Sequence, residues 1–185
     1  SVRPDYSDYP KWPQSIGFTQ RGCRLACTFC VVPRKEGKIQ PVGVLAGVWR
    51  GGDAPKDLIL LDNDFFGNPH WRELLAEAKE HGFRVCWIQG INARMINDEV
   101  AAAIAGTRYY DDQFERPRLY TAWDGRKDER VLFRGLDLLK KHGVLPGRIM
   151  VYMLIGHEPG ETHADRDYRR SRLREFGALP YPMPY

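Results

Sequence analysis

The apolar positions of this chain fall into short runs that alternate with helical stripes. Residues 16–19 form a first short run, predicted as a strand leading straight into a segment with three cysteines. Val44, Leu45, Val48 and Trp49 have helical spacing, and Gly51-Gly52 ends that helix. Residues 58–61 (LILL) read as a buried strand that stops at Asp62. Trp71, Leu74, Leu75 and Ala78 then make a stripe at i, i+3, i+4 and i+7, closed by Gly82.

The alternation continues to the end of the chain. A strand is expected over 85–88, then a helix over 97–105 with Asn97 as its N-cap. A fourth strand covers 119–123. A helix over 128–142 carries Val131, Leu132, Gly135, Leu136, Leu138 and Leu139 toward the core and stops at Gly143. Residues 149–155 (IMVYMLI) are apolar throughout, as parallel strands covered on both faces tend to be. A helix over 161–176 and a short strand over 179–181 complete the pattern.

Strands separated by helices of this length imply βαβ units and a parallel sheet. Six units are too few for the closed eight-stranded barrel, which takes about 250 residues. The expected fold is therefore α/β, a partial (β/α)6 TIM-like barrel with the cysteine segment on the loop after strand 1. A doubly wound open sheet is the alternative. Both architectures place the site at the C-terminal strand ends. The 185 residues are expected to form one domain, with 1–14 as an irregular N-terminal segment.

Composition narrows the class without naming a function. No apolar run approaches the roughly 18 residues needed to span a bilayer, so no membrane partner is expected. The polar, proline-rich start (SVRPDYSDYPKWPQ) lacks the apolar centre of a secretory signal, which makes the cytoplasm the expected location. A net charge of +4 falls short of a dedicated nucleic-acid binder. Arg166, Arg169, Arg170, Arg172 and Arg174 are interleaved with Asp165, Asp167 and Glu175, and read as a solvated helix face in preference to a phosphate-binding patch.

Three of the four cysteines, Cys23, Cys27 and Cys30, lie within eight residues in GFTQRGCRLACTFCVVPRKEG. A secreted disulfide scaffold would use more cysteines, spread along a shorter chain. Three thiolates on one compact loop can hold three corners of a [4Fe–4S] cube, whereas a ferredoxin-type carrier needs four thiolates per cluster. The remaining cysteine, Cys86, stands in the run VCWI and is expected to pack in a strand. One iron would then lack a protein ligand, and an open coordination position suits catalysis. A structural zinc site needs four closed ligands, and the nearest histidine along the chain is His70.

This Cys-x3-Cys-x2-Cys spacing, with Phe29 before the last cysteine, resembles the signature of radical S-adenosylmethionine (radical SAM) enzymes. The continuation VVPRKEG is similar to the turn after the motif in the methylthiotransferase branch. The resemblance implies that Cys23, Cys27 and Cys30 ligate a [4Fe–4S] cluster and that Phe29 lies against the adenine of S-adenosyl-L-methionine. It implies that the free iron chelates the methionine part of that cofactor. Reductive cleavage would then yield a 5′-deoxyadenosyl radical that abstracts hydrogen from a substrate, with a reductant such as flavodoxin or ferredoxin as partner. The further cluster domain and the RNA-binding barrel of methylthiotransferases have no counterpart, so methylthiolation is not expected.

Other cofactor-binding candidates follow from their places at strand ends. The family's Gly-Gly-Glu-like segment is replaced here by LILLDNDFFGNP, a departure from the pattern. Asp62, Asn63 and Asp64 offer oxygen acceptors for the methionine ammonium, or else cap the turn before Pro69. Arg94, with Gln89 and Asn92 nearby, is a candidate for the cofactor carboxylate, or pairs with Asp98. Asp124 is placed to bind ribose or substrate, or to make an Asp-Gly turn. Gly156 takes the place of the family's fifth-strand adenine contact, where the lack of a side chain admits the ring. His157 and Glu158 read as substrate-side groups or as a solvated loop. No catalytic residue is assigned.

The expected function is reductive cleavage of S-adenosylmethionine for hydrogen abstraction. A nucleic acid or nucleotide substrate is slightly favoured by the basic balance and by the exposed-looking Tyr109, Tyr110 and Trp123. A non-catalytic iron–sulfur protein for electron transfer or sensing is the alternative. A zinc-stabilised nucleic-acid module is the third reading.

Overall fold

In the computed structural model, which describes residues 4–9 and 11–185, the chain is α/β with two three-stranded parallel sheets. It divides into two compact units, Ser1–Gln89 with Thr107–Pro117, and Gly90–Gly106 with Arg118–Tyr185. Of the expected irregular segment, residues 4–9 and 11–14 carry neither helix nor strand, while 1–3 and 10 lie outside the described residues. No helix among the described residues is long and apolar enough to cross a membrane.

The first unit is built on β1 (Ser15–Gly17), β4 (Asp57–Leu60) and β5 (Arg84–Trp87), in that order and all parallel. All four residues of β4 are buried, as befits the central strand of a sheet covered on both faces. Between β1 and β4 the chain makes a two-residue antiparallel pair, β2 (Gln20–Arg21) with β3 (Gln40–Pro41). The short helices α1 (Val32–Lys35) and α2 (Leu45–Val48) lie on either side of β3 in the chain. The first strand ends earlier than its apolar run suggests, because Thr19 leaves the sheet to bond Asp62.

Helix α3 (Trp71–His81) returns the chain from β4 to β5 and buries Trp71, Leu74 and Ala78, the predicted stripe. Gly82 ends it at φ +70°, a left-handed cap that an L side chain rarely adopts. Glu77 of α3 accepts the backbone N–H groups of Leu45 and Ala46 at 2.9 and 2.8 Å, placing an anion at the start of α2.

The second unit contains α4 (Asp98–Ala105), capped by Asn97 as expected, then β6 (Leu119–Trp123), α5 (Glu129–Lys141), β7 (Ile149–Ile155), α6 (His163–Phe176) and β8 (Leu179–Pro184). The sheet order is β6-β7-β8. Gly135 lets α5 approach closely: a Cβ there would stand 3.2 Å from the Ala93 carbonyl oxygen. The last strand runs past the expected 179–181, and its sequence LPYPMP explains how. Pro180, Pro182 and Pro184 alternate, so every missing N–H falls on the outer edge of the sheet. The residues between them keep their N–H groups toward β7, a phase that Tyr185 continues by donating to the Ile155 carbonyl at 3.0 Å.

Candidate metal centre

The three cysteines occupy a loop whose base is closed several times over. The β2–β3 pair brackets residues 22–39. The Cys23 N–H donates to the Gly37 carbonyl at 3.1 Å. Glu36 accepts the Gly22 N–H at 2.9 Å and pairs with Arg21. That N–H, with the Arg21 guanidinium, holds the Glu36 carboxyl below the usual range against its partial burial. Gly22 sits at φ +76°, and a Cβ there would collide with the Lys38 carbonyl and lie 2.7 Å from the Gly37 oxygen. Both the dihedral and the space require glycine at this position.

The loop is also tied to the end of β4. Arg24 forks onto Asp64, with Nε 2.6 Å from Oδ2 and a terminal nitrogen 3.1 Å from Oδ1. Asp64 is buried, and Gly67 makes its position possible, because a Cβ on Gly67 would collide with the Asp64 carboxylate. Asp62 reaches the start of the loop, accepting from the Thr19 N–H, the Thr19 hydroxyl and the Gln20 N–H at 2.8, 2.8 and 2.7 Å. Burial pushes Asp62 up to about 6, against the pull of those donors. Asp62 and Asp64 are therefore both engaged in holding the loop. Asn63 between them is half-buried, and its side chain makes no hydrogen bond among the described residues.

Cys23, Cys27 and Cys30 carry thiols outside any disulfide among the described residues, each half-buried. The Leu25 N–H lies 3.4 Å from the Cys23 sulfur, within the reach of a hydrogen bond to sulfur. Burial raises the Cys23 thiol, and the Asp64 and Cys30 charges raise it further, against the Leu25 N–H and Arg24. Phe29 is half-buried on the same loop. Cys86 is fully buried in β5, where burial pushes its thiol far up, so it packs as a small apolar residue.

This donor set fits an iron–sulfur cluster in its chemistry: three soft sulfur ligands on one braced loop, one already carrying an N–H donor. Among the described residues, no three His, Cys, Asp or Glu side chains converge as ligands of a single metal ion would. Ligands of a cube sit at its separate corners and need no such convergence.

The remaining candidates lie in the second unit. Arg94 pairs with Asp128 at 2.6 Å, not with Asp98, which instead takes Lys141 at 2.6 Å and His142 at 3.0 Å. Asn92 makes the turn, accepting from the Arg94 N–H at 3.0 Å. Asp124 follows β6 directly, and its side chain has no hydrogen-bond partner among the described residues. Burial pushes its carboxyl up, as does Asp128, against Arg94, Arg169 and His157. Gly156 has φ +82° with open space where a Cβ would be, and its N–H donates to Glu161 at 2.7 Å.

Two further expectations change. The arginine run is not all solvated: Arg169 is buried, pairs with Glu161, and donates to the Trp123 and Leu154 carbonyls at 2.9 and 2.8 Å. The aromatics read as exposed are largely core. Trp123 is 0% and Tyr109 6% exposed, with the Trp123 indole N–H donating to the Gly125 carbonyl at 2.8 Å. They lend no support to a nucleic-acid substrate. Sequence reasoning also missed Arg24 and Glu36, whose only signal was a charged residue inside or just after the cysteine motif.

No known family profile matches the chain, and no curated protein matches it.

Proposed function

We propose that this protein is a radical S-adenosylmethionine enzyme whose [4Fe–4S] cluster is held by Cys23, Cys27 and Cys30. The observation that supports it most is the bracing of a three-thiol loop by two buried carboxylates, Asp62 and Asp64, at the end of the neighbouring strand. The partial (β/α)6 barrel belongs to the same reading, supported by the parallel pairing of the two three-stranded sheets, whose strands follow chain order within each.

When bound, the cluster would supply the electron that cleaves S-adenosyl-L-methionine, drawn from a reductant such as flavodoxin or ferredoxin. The chain's own residues orient and enclose. Arg24 and Asp64 fix the loop between the first and second cysteines, and Glu36 fixes its base. The Leu25 N–H offsets charge on the Cys23 sulfur. Asn63, whose side chain makes no hydrogen bond among the described residues, is the group of that segment best suited to accept from the methionine ammonium. Asp124, whose side chain has no hydrogen-bond partner among the described residues, suits ribose hydroxyls or substrate. Cytoplasmic location and hydrogen abstraction from a still unidentified substrate belong to this reading.

Anaerobic reconstitution with iron and sulfide, followed by reduction with S-adenosylmethionine and assay of 5′-deoxyadenosine, tests it. Product that is lost in Cys27→Ala supports the enzyme. A well-formed cluster that never cleaves the cofactor favours the electron-transfer alternative. Zinc bound in place of iron overturns the assignment.

A further inference from the structure

Helix α5 turns Leu132, Gly135, Leu136 and Leu139 inward, and its other side lines an open groove of about 960 Å3. Six cations and two carboxylates, Glu129 and Asp137, border that groove. Three of the cations are already matched. Arg126 pairs with Asp165 at 2.9 Å, Arg172 with Glu129 and Glu175 at 3.4 and 3.0 Å, and Lys141 with Asp98 at 2.6 Å. The other three, Lys127, Arg130 and Arg134, are exposed and make no ion pair among the described residues.

Those three residues recur at i, i+3 and i+7, so they share one face of the helix and its leading turn. Lys141 continues the stripe a further seven residues on. From 127 to 141 the stripe spans about 21 Å at the helical rise of 1.5 Å per residue. Asp137 is the single carboxylate within it.

The shape excludes a small buried ligand, since the groove is long and open along one helix. A protein partner is disfavoured too, because interface centres are depleted in charge and rich in large apolar anchors. Here the apolar floor is Phe133 and Leu138, and Arg172 already lies over the Phe133 ring at 5.0 Å. A line of unmatched cations, two of them guanidinium forks, instead suits oxygen anions repeated at intervals.

We propose that this groove docks the sugar–phosphate backbone of a nucleic acid, with Lys127, Arg130 and Arg134 making the phosphate contacts. The proposal stands on the groove alone and requires neither cluster nor S-adenosylmethionine, so its failure would leave the radical reading untouched. Nothing in the groove reads bases, so binding is expected to be indifferent to sequence.

The test is fluorescence anisotropy of a labelled mixed-sequence RNA oligonucleotide with the full chain, over a salt series. The groove variant is Lys127→Ala/Arg130→Ala/Arg134→Ala. The control, Lys11→Ala/Lys79→Ala/Arg174→Ala, removes the same charge from exposed positions elsewhere. The groove variant is expected to weaken low-salt binding roughly tenfold or more, and to reduce the slope of log K against log salt by about 2 to 3. The control should change neither appreciably, and both variants should melt as the parent does. No binding by the parent chain overturns the proposal. Equal weakening in both variants also overturns it, showing diffuse attraction. Binding of a poly-glutamate peptide as tight as the oligonucleotide, lost in the groove variant, would assign the groove to an acidic protein instead.

Discussion

Asp62 and Thr19 are joined twice across 43 residues of chain, by the Thr19 N–H and by its hydroxyl, each 2.8 Å from the carboxylate. The Gln20 N–H adds a third bond at 2.7 Å. This places the end of β4 against the first residues of the cysteine loop, so the strand that lies beside β1 also sets where the loop begins. Removing the carboxylate would strand three donors in a buried place. Asp62→Ala is expected to cost about 3 kcal/mol or more in urea denaturation. Asp62→Asn keeps an acceptor, and Thr19 can rotate its hydroxyl to accept from the amide, so its cost should be much smaller. Equal costs for the two variants would show that shape, not hydrogen bonding, matters there.

The same carboxylate predicts a pH dependence. Its folded value of about 6 lies above the ordinary 3.8, so between those values the folded chain holds a proton that the unfolded chain has released. The protonated fold is thus favoured. The contribution to stability is fully present below about pH 4 and is lost as pH rises through about 6, by about 3 kcal/mol in total. The difference in unfolding free energy between the parent chain and Asp62→Asn should therefore fall across that window and level off above it. A difference that rises with pH would mean that the three donors outweigh burial.

Gly67 and Asp64 share space that leaves no room for a methyl group. Gly67→Ala is expected to push the Asp64 carboxylate away from Arg24, at a cost of about 1–3 kcal/mol for the overpacked site. Under the proposed function, iron retained after reconstitution should fall with it. Arg24→Ala should lower iron retention as well, at a cost of about 3 kcal/mol or more, since it leaves the buried Asp64 carboxylate without its cation. Full iron retention in both variants would separate the brace from the cluster.

Arg169 and Glu161 form a buried pair whose remaining guanidinium donors satisfy two strand-end carbonyls. Arg169→Met would leave those carbonyls unpaired and remove a cation from Glu161, a loss of about 3–5 kcal/mol. Adding Glu161→Gln should recover part of that loss, which a double-mutant cycle in chemical denaturation measures. Strict additivity of the two substitutions would show that the contact carries no coupling.

Much of the scaffold is legible in the sequence because its signals are local. The run IMVYMLI is apolar without a break and Leu119–Trp123 is broken only by Thr121, while Asn97 marks a helix start by its side-chain acceptor and Gly82 a helix end by its backbone freedom. What stays hidden is set by partners far along the chain. Nothing near Arg169 distinguishes it from Arg166 or Arg170, yet it alone of these is buried, because the carbonyls it serves belong to β6 and β7. Asp62 and Asp64 are visible as polar groups at a strand end. Their engagement with Thr19, Gln20 and Arg24 depends on the sheet register that brings β1 beside β4. The proline alternation of β8 is local, but it reads as a chain breaker until the strand is known to be an edge.

The cysteines themselves give a prediction that precedes any cofactor. Cys23, Cys27 and Cys30 are half-buried thiols, whereas Cys86 is fully buried with its thiol pushed far up. In the native apo chain an aromatic disulfide reagent should therefore titrate three thiols, with the fourth reacting only after denaturation. Cys23 should react more slowly than an unhindered thiol, since burial and its acidic neighbours make the reactive thiolate scarcer. Raising the pH should relieve that lag. After anaerobic treatment with iron and sulfide, all three should become protected, and Cys86→Ala should leave that protection intact. A native chain whose Cys86 reacts with the others would contradict its place in the sheet. Protection that disappears in Cys86→Ala would make it the fourth ligand and remove the argument for an open iron.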